Sequence, residues 1–153
     1  MSVRTLVFQD EQVLLVGHRD PRTEQVWWMA PGGIVDPGER AMDAAQREVK
    51  EETGLDVAIS RLVYWLEWMW ERSYCLELYF LGQVTDGTLK PGSDPELAPE
   101  QQFIFDARFL NMDQLKGFAV RPEVFKTMLP EHRRQGFPAG ATYLGVDKPD
   151  LPR

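Results

Sequence analysis

The sequence predicts an α/β domain in which helices cover a mixed sheet. Strand-like segments flank one strong helix candidate at residues 41–53, and a further strand and helix follow toward the C-terminus. The 153 residues are 43% hydrophobic and 11% aromatic, which is typical of a globular protein that buries a real core. We therefore expect one domain over residues 1–153, with an irregular tail after about residue 136.

The first elements are two strands followed by a loop. Residues 3–8 and 12–17 are apolar, and the polar residues 9–11 between them form a short turn. Residues 18–25 are polar and contain a proline, so they are expected to form a loop. A short apolar segment at residues 26–29 then leads into Pro31, Gly32 and Gly33, which interrupt regular structure strongly.

The helix at residues 41–53 is the best-defined element. Ala44, Ala45 and Val49 recur on one side, where they can pack on a sheet, and Gly54 is suited to end the helix in a left-handed conformation. The later elements are predicted in this order: strands at 56–70 and 74–84 joined by a turn at 71–73, a loop at 86–100, a strand at 103–110, a helical turn at 113–116, and a helix at 122–134.

Charge and composition exclude several classes of protein. A net charge of −7 argues against general nucleic-acid binding, which needs clustered Lys and Arg, so no stable nucleic-acid partner is expected. The single cysteine, Cys75, cannot form an internal disulfide. The chain shows no signal-peptide pattern and no run of about 18 apolar residues, so a membrane partner is not expected. These features favour the cytoplasm.

Three carboxylates on the predicted helix suggest a metal site. Offsets of three and four residues place Glu48 beside both Glu51 and Glu52 on one helical face. Crowded like charges are unfavourable, whereas a hard divalent cation such as Mg²⁺ removes that repulsion and prefers oxygen ligands. A Glu-rich helix of this kind is, taken alone, more often a solvated face with salt bridges to Arg47 and Lys50.

The residues around the helix favour the metal site over that solvated face. The Gly32–Gly33 and Pro37–Gly38 pairs allow the backbone to bend over the helix, where a carbonyl oxygen of the turn can reach the same ion. Arg47 lies four residues before Glu51 and can pair with it. Glu39 stands near the helix start, where its charge suits the helix dipole.

These residues form a specific motif. The pattern is Gly, five residues, Glu, seven residues, and then Arg-Glu-U-x-Glu-Glu-x-Gly-U, in which U is aliphatic. Every defined position matches without a gap, through Gly33, Glu39, Arg47, Glu48, Val49, Glu51, Glu52, Gly54 and Leu55. The segment resembles the Nudix box, and the chain is similar to Nudix hydrolases from the first strands to about Leu115.

The resemblance implies an α/β/α sandwich that uses a divalent metal, Mg²⁺ with Mn²⁺ as an alternative, to hydrolyse a nucleoside diphosphate linked to a group X. It implies that Glu48, Glu51 and Glu52 bind the metal and that the carbonyl of Gly32 joins them. It also implies that Arg47 holds a catalytic glutamate, and that Gly33 and Glu39 support the site. The expected partner is a small nucleotide, either a nucleoside triphosphate or a compound like a nucleotide sugar.

The general base and the substrate contacts are less sharply defined. A carboxylate must accept the proton of the attacking water, and Glu52 or Glu51 is nearest. In related enzymes this base comes instead from a later loop, where Glu100 is best placed and Glu96 is its rival. Arg4 is a candidate for a phosphate contact. One exposed tryptophan, Trp28 or Trp70, is a candidate for stacking on a base.

Two other functions remain open from the sequence. One is a nucleotide-sensing binding module with this fold, although such proteins usually carry a degraded box or a fused DNA-binding domain. The other is hydrolysis at the 5′ end of RNA, which the net charge of −7 disfavours. The marks that distinguish ADP-ribose, dinucleoside polyphosphate and coenzyme A hydrolases are not evident. A homodimer is suggested by fold-level analogy alone.

Overall fold

The computed structural model describes residues 1–70, 73–93, 98–99 and 102–147, except for the side chain of Trp70. A 3₁₀ helix, Met112–Gly117, follows the strand at residues 104–111 and precedes the second α-helix. The strands and α-helices are β1 (Ser2–Gln9), β2 (Gln12–Arg19), β3 (Val26–Met29), β4 (Gly32–Ile34), α1 (Ala41–Thr53), β5 (Leu55–Trp70), β6 (Ser73–Gly87), β7 (Ile104–Asn111), α2 (Phe125–Gln135) and β8 (Thr142–Asp147).

The sheet is mixed, and β1 lies at its centre. Its strand order is β3-β2-β1-β6-β5-β8, with β4 paired to β1 and β7 paired to β2. The β1–β6 and β5–β8 pairs are parallel, whereas the other pairs are antiparallel. Because β4 follows directly on Pro31, its pairing with β1 places the glycine turn on the sheet, where it contacts Glu48 and Glu52 of α1.

Helices cover both faces of this sheet, which confirms the predicted fold class. Adjacent residues of a strand point to opposite faces. Phe80 of β6 accordingly packs with Ala44 and Ala45 of α1, whereas its neighbour Tyr79 packs against Phe125 of α2 with ring centroids 5.0 Å apart. The main hydrophobic core lies on the α2 side.

The first helix has the bounds that the sequence predicts. Ala44, Ala45 and Val49 are fully buried, so the apolar side of α1 faces the sheet. Gly54 ends the helix with φ of 74°, and its N–H donates to the Lys50 carbonyl at 2.9 Å. The side chains of Glu48, Glu51 and Glu52 therefore extend from a helix whose backbone is packed against the sheet.

The structure corrects four details of the prediction. The tail after residue 136 is not wholly irregular, because residues 142–147 form β8 alongside β5. Strand β2 continues through His18 to Arg19, where a loop was expected. Strand β6 likewise runs to Gly87, past the predicted start of the next loop. The second helix begins at Phe125 rather than Pro122, and Pro130 lies inside it without ending it.

Candidate metal and catalytic site

The three box glutamates of α1 are more buried than solvated helix residues would be. The exposed fractions of their side chains are 13% for Glu48, 31% for Glu51 and 10% for Glu52. Carboxylates are rarely this buried unless they are paired or bind a metal. The placement therefore supports a functional role for this face of α1 over a solvated one.

Arg47 connects the start of the box to its end. Its Nε and Nη2 each donate to one oxygen of Glu39 at 2.9 Å, in a two-pronged ion pair. Its Nη1 donates to Glu48 Oε1 at 2.9 Å and to Glu51 Oε2 at 3.5 Å. The hydrogen bonds from Arg47 lower the pKa of Glu39 to about 2, whereas burial raises the pKa of Glu48 against the opposing effect of Arg47. Arg47 thus holds the carboxylates of Glu48 and Glu51 in place, although their like charges repel each other.

The glycine turn lies directly against the carboxylates. The amide of Gly32 donates to Glu52 Oε2 at 2.9 Å. A Cβ atom on Gly33 would stand only 2.5 Å from Glu48 Oε1. A Cβ atom on Gly32, whose φ is +153°, would stand 2.0 Å from the backbone oxygen of Val3. Only two consecutive glycines allow the turn to approach both β1 and α1 this closely.

Arg4, a predicted phosphate contact, lies behind the turn with only 12% of its side chain exposed. Its Nη1 donates to the carbonyls of Ala30 at 2.9 Å and Gly32 at 3.0 Å. Its Nε donates to Glu77 Oε2 at 3.1 Å. The guanidinium therefore holds the same carbonyl that the resemblance assigns to the metal, and a contact with substrate phosphate stays a prediction.

The donor chemistry at this site fits a hard divalent cation. Carboxylate and carbonyl oxygens are the ligands that Mg²⁺ and Mn²⁺ prefer, and the absence of a side chain at Gly33 leaves room for the Glu48 carboxylate beside the turn. Within the described ranges, no three acidic, His or Cys side chains converge closely enough to coordinate one ion. Arg47 and the Gly32 amide occupy oxygens of the carboxylates instead. Coordination by Glu48, Glu51 and Glu52 together stays a prediction.

A cleft of about 740 Å³ has Glu51 in its lining. The segment after β6 also lines this cleft. It is tied to the end of α1, because Lys90 N donates to Thr53 O at 3.0 Å and Gly92 N donates to Glu52 O at 2.8 Å. Lys50 and Lys90 also belong to the lining. Glu96 and Glu100, the predicted alternative bases, lie further along the same segment and outside the described residues.

Trp28, one of the two predicted stacking residues, is less accessible than its neighbour Trp27. Trp28 is 5% exposed and packs edge-on against Phe105 and Phe118, so it lies in the core. The side chain of Trp70 is outside the described part of the chain. Trp27, which was not singled out, is half-buried and stacks on His18 with ring planes 7° apart.

His18 lies beside Glu52, a position that sequence reasoning missed. Its Nε2 lies 3.9 Å from Glu52 Oε1, while its Nδ1 lies 3.1 Å from the carbonyl of Val16. Burial, reinforced by the charge of Arg4, lowers the pKa of His18 to about 3, so the ring is neutral at physiological pH. The sequence held no local signal for this position, because His18 comes opposite Trp27 only when β2 pairs with β3.

Comparison with known proteins identifies the family. The NUDIX domain matches residues 1–129. The chain belongs to the Nudix family. Residues beyond 129 lie outside the matched range, so the predicted single-domain organisation stays a prediction.

The similar Nudix proteins have names that state different substrates. The NAD-capped RNA hydrolase NudC of Pseudomonas syringae pv. tomato is 30% identical over 139 residues, covering 90% of this chain and 46% of the relative. An ADP-ribose pyrophosphatase of Methanocaldococcus jannaschii is 31% identical over 125 residues, covering 80% of this chain and 68% of the relative. The chain thus spans about half the length of the NudC relatives that it matches.

Solved Nudix structures share the fold. A Nudix hydrolase from Nitrosomonas europaea is 27% identical with a TM-score of 0.69, covering 90% of this chain and 91% of that one. A UDP-X diphosphatase aligns with a TM-score of 0.68 at 24% identity, covering 96% of this chain and 66% of that one, and this likeness concerns the fold alone. Among the helices of the described ranges, none is both long and apolar enough to cross a membrane. The cytoplasmic location and the homodimer stay predictions.

Proposed function

We propose that this Nudix protein uses a divalent cation to hydrolyse a phosphoanhydride bond in a nucleoside diphosphate linked to a second group X. The observation that carries the proposal is the arrangement around the glycine turn. Glu52 accepts from the Gly32 amide and Glu48 lies against Gly33, so two carboxylates meet the same glycine turn, whose Gly32 carbonyl is the third proposed ligand. A nucleotide-binding module without activity does not require this set of oxygen donors.

Each residue has a defined task in this proposal. Glu48, Glu51, Glu52 and the carbonyl of Gly32 would hold Mg²⁺ or Mn²⁺. When bound, such an ion neutralises charge on the diphosphate and makes water a stronger nucleophile. Arg47 keeps Glu48 and Glu51 in place through bonds of 2.9 and 3.5 Å.

We assign proton removal from the attacking water to Glu52. Its Oε2 accepts the Gly32 amide, which fixes the carboxylate, and its Oε1 faces the neutral ring of His18 at 3.9 Å. One bond forms between the water oxygen and a phosphorus atom, and the bond between that phosphorus and the bridging oxygen breaks. The products are two phosphate monoesters when X is joined through its own phosphate. Glu51 and Glu100 are the rival bases. Because Glu51 and Glu52 are also assigned to the metal, the Gln variants of all three are compared at saturating Mn²⁺, where the variant that lacks the base should stay slow.

The names of the relatives narrow the substrates to test. NAD-capped RNA, ADP-ribose and the UDP-X compounds each contain a nucleoside diphosphate joined to another group, which agrees with the proposed class. A putative 8-oxo-dGTP diphosphatase of Bacillus subtilis, 48% identical over 52 residues, adds nucleoside triphosphates. The similarity to NudC makes capped RNA a second candidate, although the net charge of −7 favours a small nucleotide.

A substrate screen tests the proposal. Purified protein is incubated with ADP-ribose, UDP-sugars, NAD, NAD-capped RNA and nucleoside triphosphates, in Mg²⁺, Mn²⁺ or a chelator, and products are separated by chromatography. Water labelled with ¹⁸O identifies the phosphorus that is attacked. We expect metal-dependent turnover of at least one compound, loss of turnover in Glu52→Gln, and unchanged turnover in Glu123→Gln, whose side chain is 86% exposed. Tight binding of one compound without turnover would instead support the nucleotide-sensing module.

A further inference from the structure

Both polar groups of Gly32 are held by side chains from different parts of the fold. Its N–H donates to Glu52 Oε2 of α1 at 2.9 Å. Its carbonyl accepts from Arg4 Nη1 of β1 at 3.0 Å. The orientation of this carbonyl therefore depends on Arg4, which lies outside the Nudix box and which the box pattern does not specify.

Arg4 is itself fixed by a buried hydrogen-bond network. Its Nε donates to Glu77 Oε2 at 3.1 Å, and Glu77, which is 2% exposed, also accepts from Ser2 Oγ at 3.0 Å and from the Tyr79 hydroxyl at 2.5 Å. The guanidinium lies between the carbonyls of Ala30 and Gly32. Each polar contact constrains the next, so the fork of Arg4 has one orientation.

This ion pair is poorly explained as a device for stability. Burying two charges carries a desolvation cost that their attraction often only balances, and apolar replacements of similar volume are frequently as stable. Backbone pairing already joins β1 to the turn, through the Ser2–Arg4 register with β4 and the bond from Thr5 N to Pro31 O at 2.9 Å. What the Arg4 side chain adds is control over the carbonyls of Ala30 and Gly32.

We propose that Arg4, fixed by Glu77, is a positioning residue that orients the Gly32 carbonyl toward the divalent cation. A carbonyl oxygen has two lone pairs, so it can accept from Arg4 and still donate to an ion. Partners of this kind behind a metal ligand typically change metal affinity or activity by about 10- to 100-fold when they are lost. This inference rests on the proposed function, because it requires that the cation binds at Gly32.

The double variant Arg4→Met/Glu77→Gln tests it. The glutamine oxygen can accept from one of the Ser2 and Tyr79 hydroxyls while its amide N–H donates to the other, and the substitutions remove both charges of the pair together. The measurement is the Kd for Mn²⁺ without nucleotide, by electron paramagnetic resonance, together with kcat, KM and thermal unfolding. We expect the Kd for Mn²⁺ to weaken by about tenfold, with kcat lowered at limiting Mn²⁺ and partly restored at high Mn²⁺. The KM for nucleotide at saturating Mn²⁺ should change little.

Two further variants make the result decisive. Tyr79→Phe removes one bond to Glu77 but leaves Arg4 on both carbonyls, so Mn²⁺ affinity should equal that of the wild type. Arg4→Lys keeps the charge, but its single nitrogen cannot bond Glu77 and the two carbonyls together as Nε and Nη1 do, so its affinity should be intermediate. This variant settles the question if the double variant does not fold. Wild-type Mn²⁺ affinity in Arg4→Lys and in the double variant, or an equal loss in Tyr79→Phe, would overturn the inference. Absence of both Mn²⁺ binding and turnover in the wild type would overturn the proposed function itself.

Discussion

Replacing Gly33 with alanine should lower the rate of hydrolysis strongly and the stability of the fold only slightly. The added methyl would stand 2.5 Å from Glu48 Oε1 and 2.7 Å from both its Cδ and its Oε2. Ordinary van der Waals contact begins near 3.4 Å, so the carboxylate must retreat by about 1 Å. The backbone itself tolerates alanine, because the φ of Gly33 is not in the left-handed region.

The expected magnitudes differ for the two properties. A displacement of about 1 Å in a group that positions the reaction costs about 100-fold in rate. The fold loses less, because the displaced group is the end of a flexible side chain, and the loss of its 2.9 Å bond to Arg47 costs about 1 kcal/mol. We therefore expect kcat to fall about 100-fold while the unfolding free energy falls by about 1 kcal/mol.

Steady-state hydrolysis and urea denaturation of matched variants check this prediction. Gly117→Ala is the neutral control, since a Cβ there meets no atom within 4 Å. Gly32→Ala is the opposite control, because its Cβ would meet the backbone of Val3 and Arg4 at 2.0 to 2.9 Å and should destabilise the whole fold. Wild-type kcat in Gly33→Ala, or a loss that only follows the fraction unfolded, would refute the placement of Glu48.

Three more predictions concern side chains around the site. Glu52→Gln should abolish turnover and leave the fold stable, since the amide oxygen can still accept from Gly32 N; near-wild-type hydrolysis would remove Glu52 from the mechanism. Arg47→Lys should lower kcat by about 10- to 100-fold, because an ammonium cannot span Glu39 and Glu48 as a guanidinium does; unchanged kcat would contradict this role. His18, with a pKa of about 3, binds a proton in the unfolded chain below about pH 6.5 but not in the folded one. The unfolding free energy of metal-free protein should therefore decrease as pH falls from 6.5 toward 3, by up to about 1.4 kcal/mol per pH unit from this group. His18→Gln should show a shallower decrease in urea titrations, and equal slopes would show that His18 does not remain neutral.

Local signals were enough to predict α1 and the box. The buried side at Ala44, Ala45 and Val49 and the terminator Gly54 are encoded within the segment itself, and the structure confirms these bounds. The hairpin of β5 and β6 was predicted for the same reason, since its two long apolar runs are adjacent in sequence. The pairing of Glu39 with Arg47 was missed, although both residues were named, because it depends on how the turn folds back on the helix.

Contacts between distant segments could not be predicted. Strand β8 contains Gly145 and is stabilised by parallel pairing with β5. In this pairing Thr142 lies opposite Tyr64, which is about eighty residues earlier in the chain. Arg4 was expected to contact phosphate, because its true partners could not be seen in the sequence. Glu77 and the Gly32 carbonyl come together around Arg4 only when β1, β4 and β6 assemble. His18 was expected in a loop for the same reason: only the pairing of β2 with β3 and β7 shows that the strand continues past it.

The central claim is that the carboxylates of α1 and the Gly32 turn together hold a catalytic divalent cation. Anomalous diffraction from crystals soaked in Mn²⁺ and a non-hydrolysable nucleotide tests it most directly. The account predicts a manganese peak within bonding distance of carboxylate oxygens of Glu48 and Glu52 and of the Gly32 carbonyl, and no such peak in crystals of Glu52→Gln. A protein whose hydrolysis depends on Mn²⁺, but whose manganese lies away from all three of these groups, would contradict it.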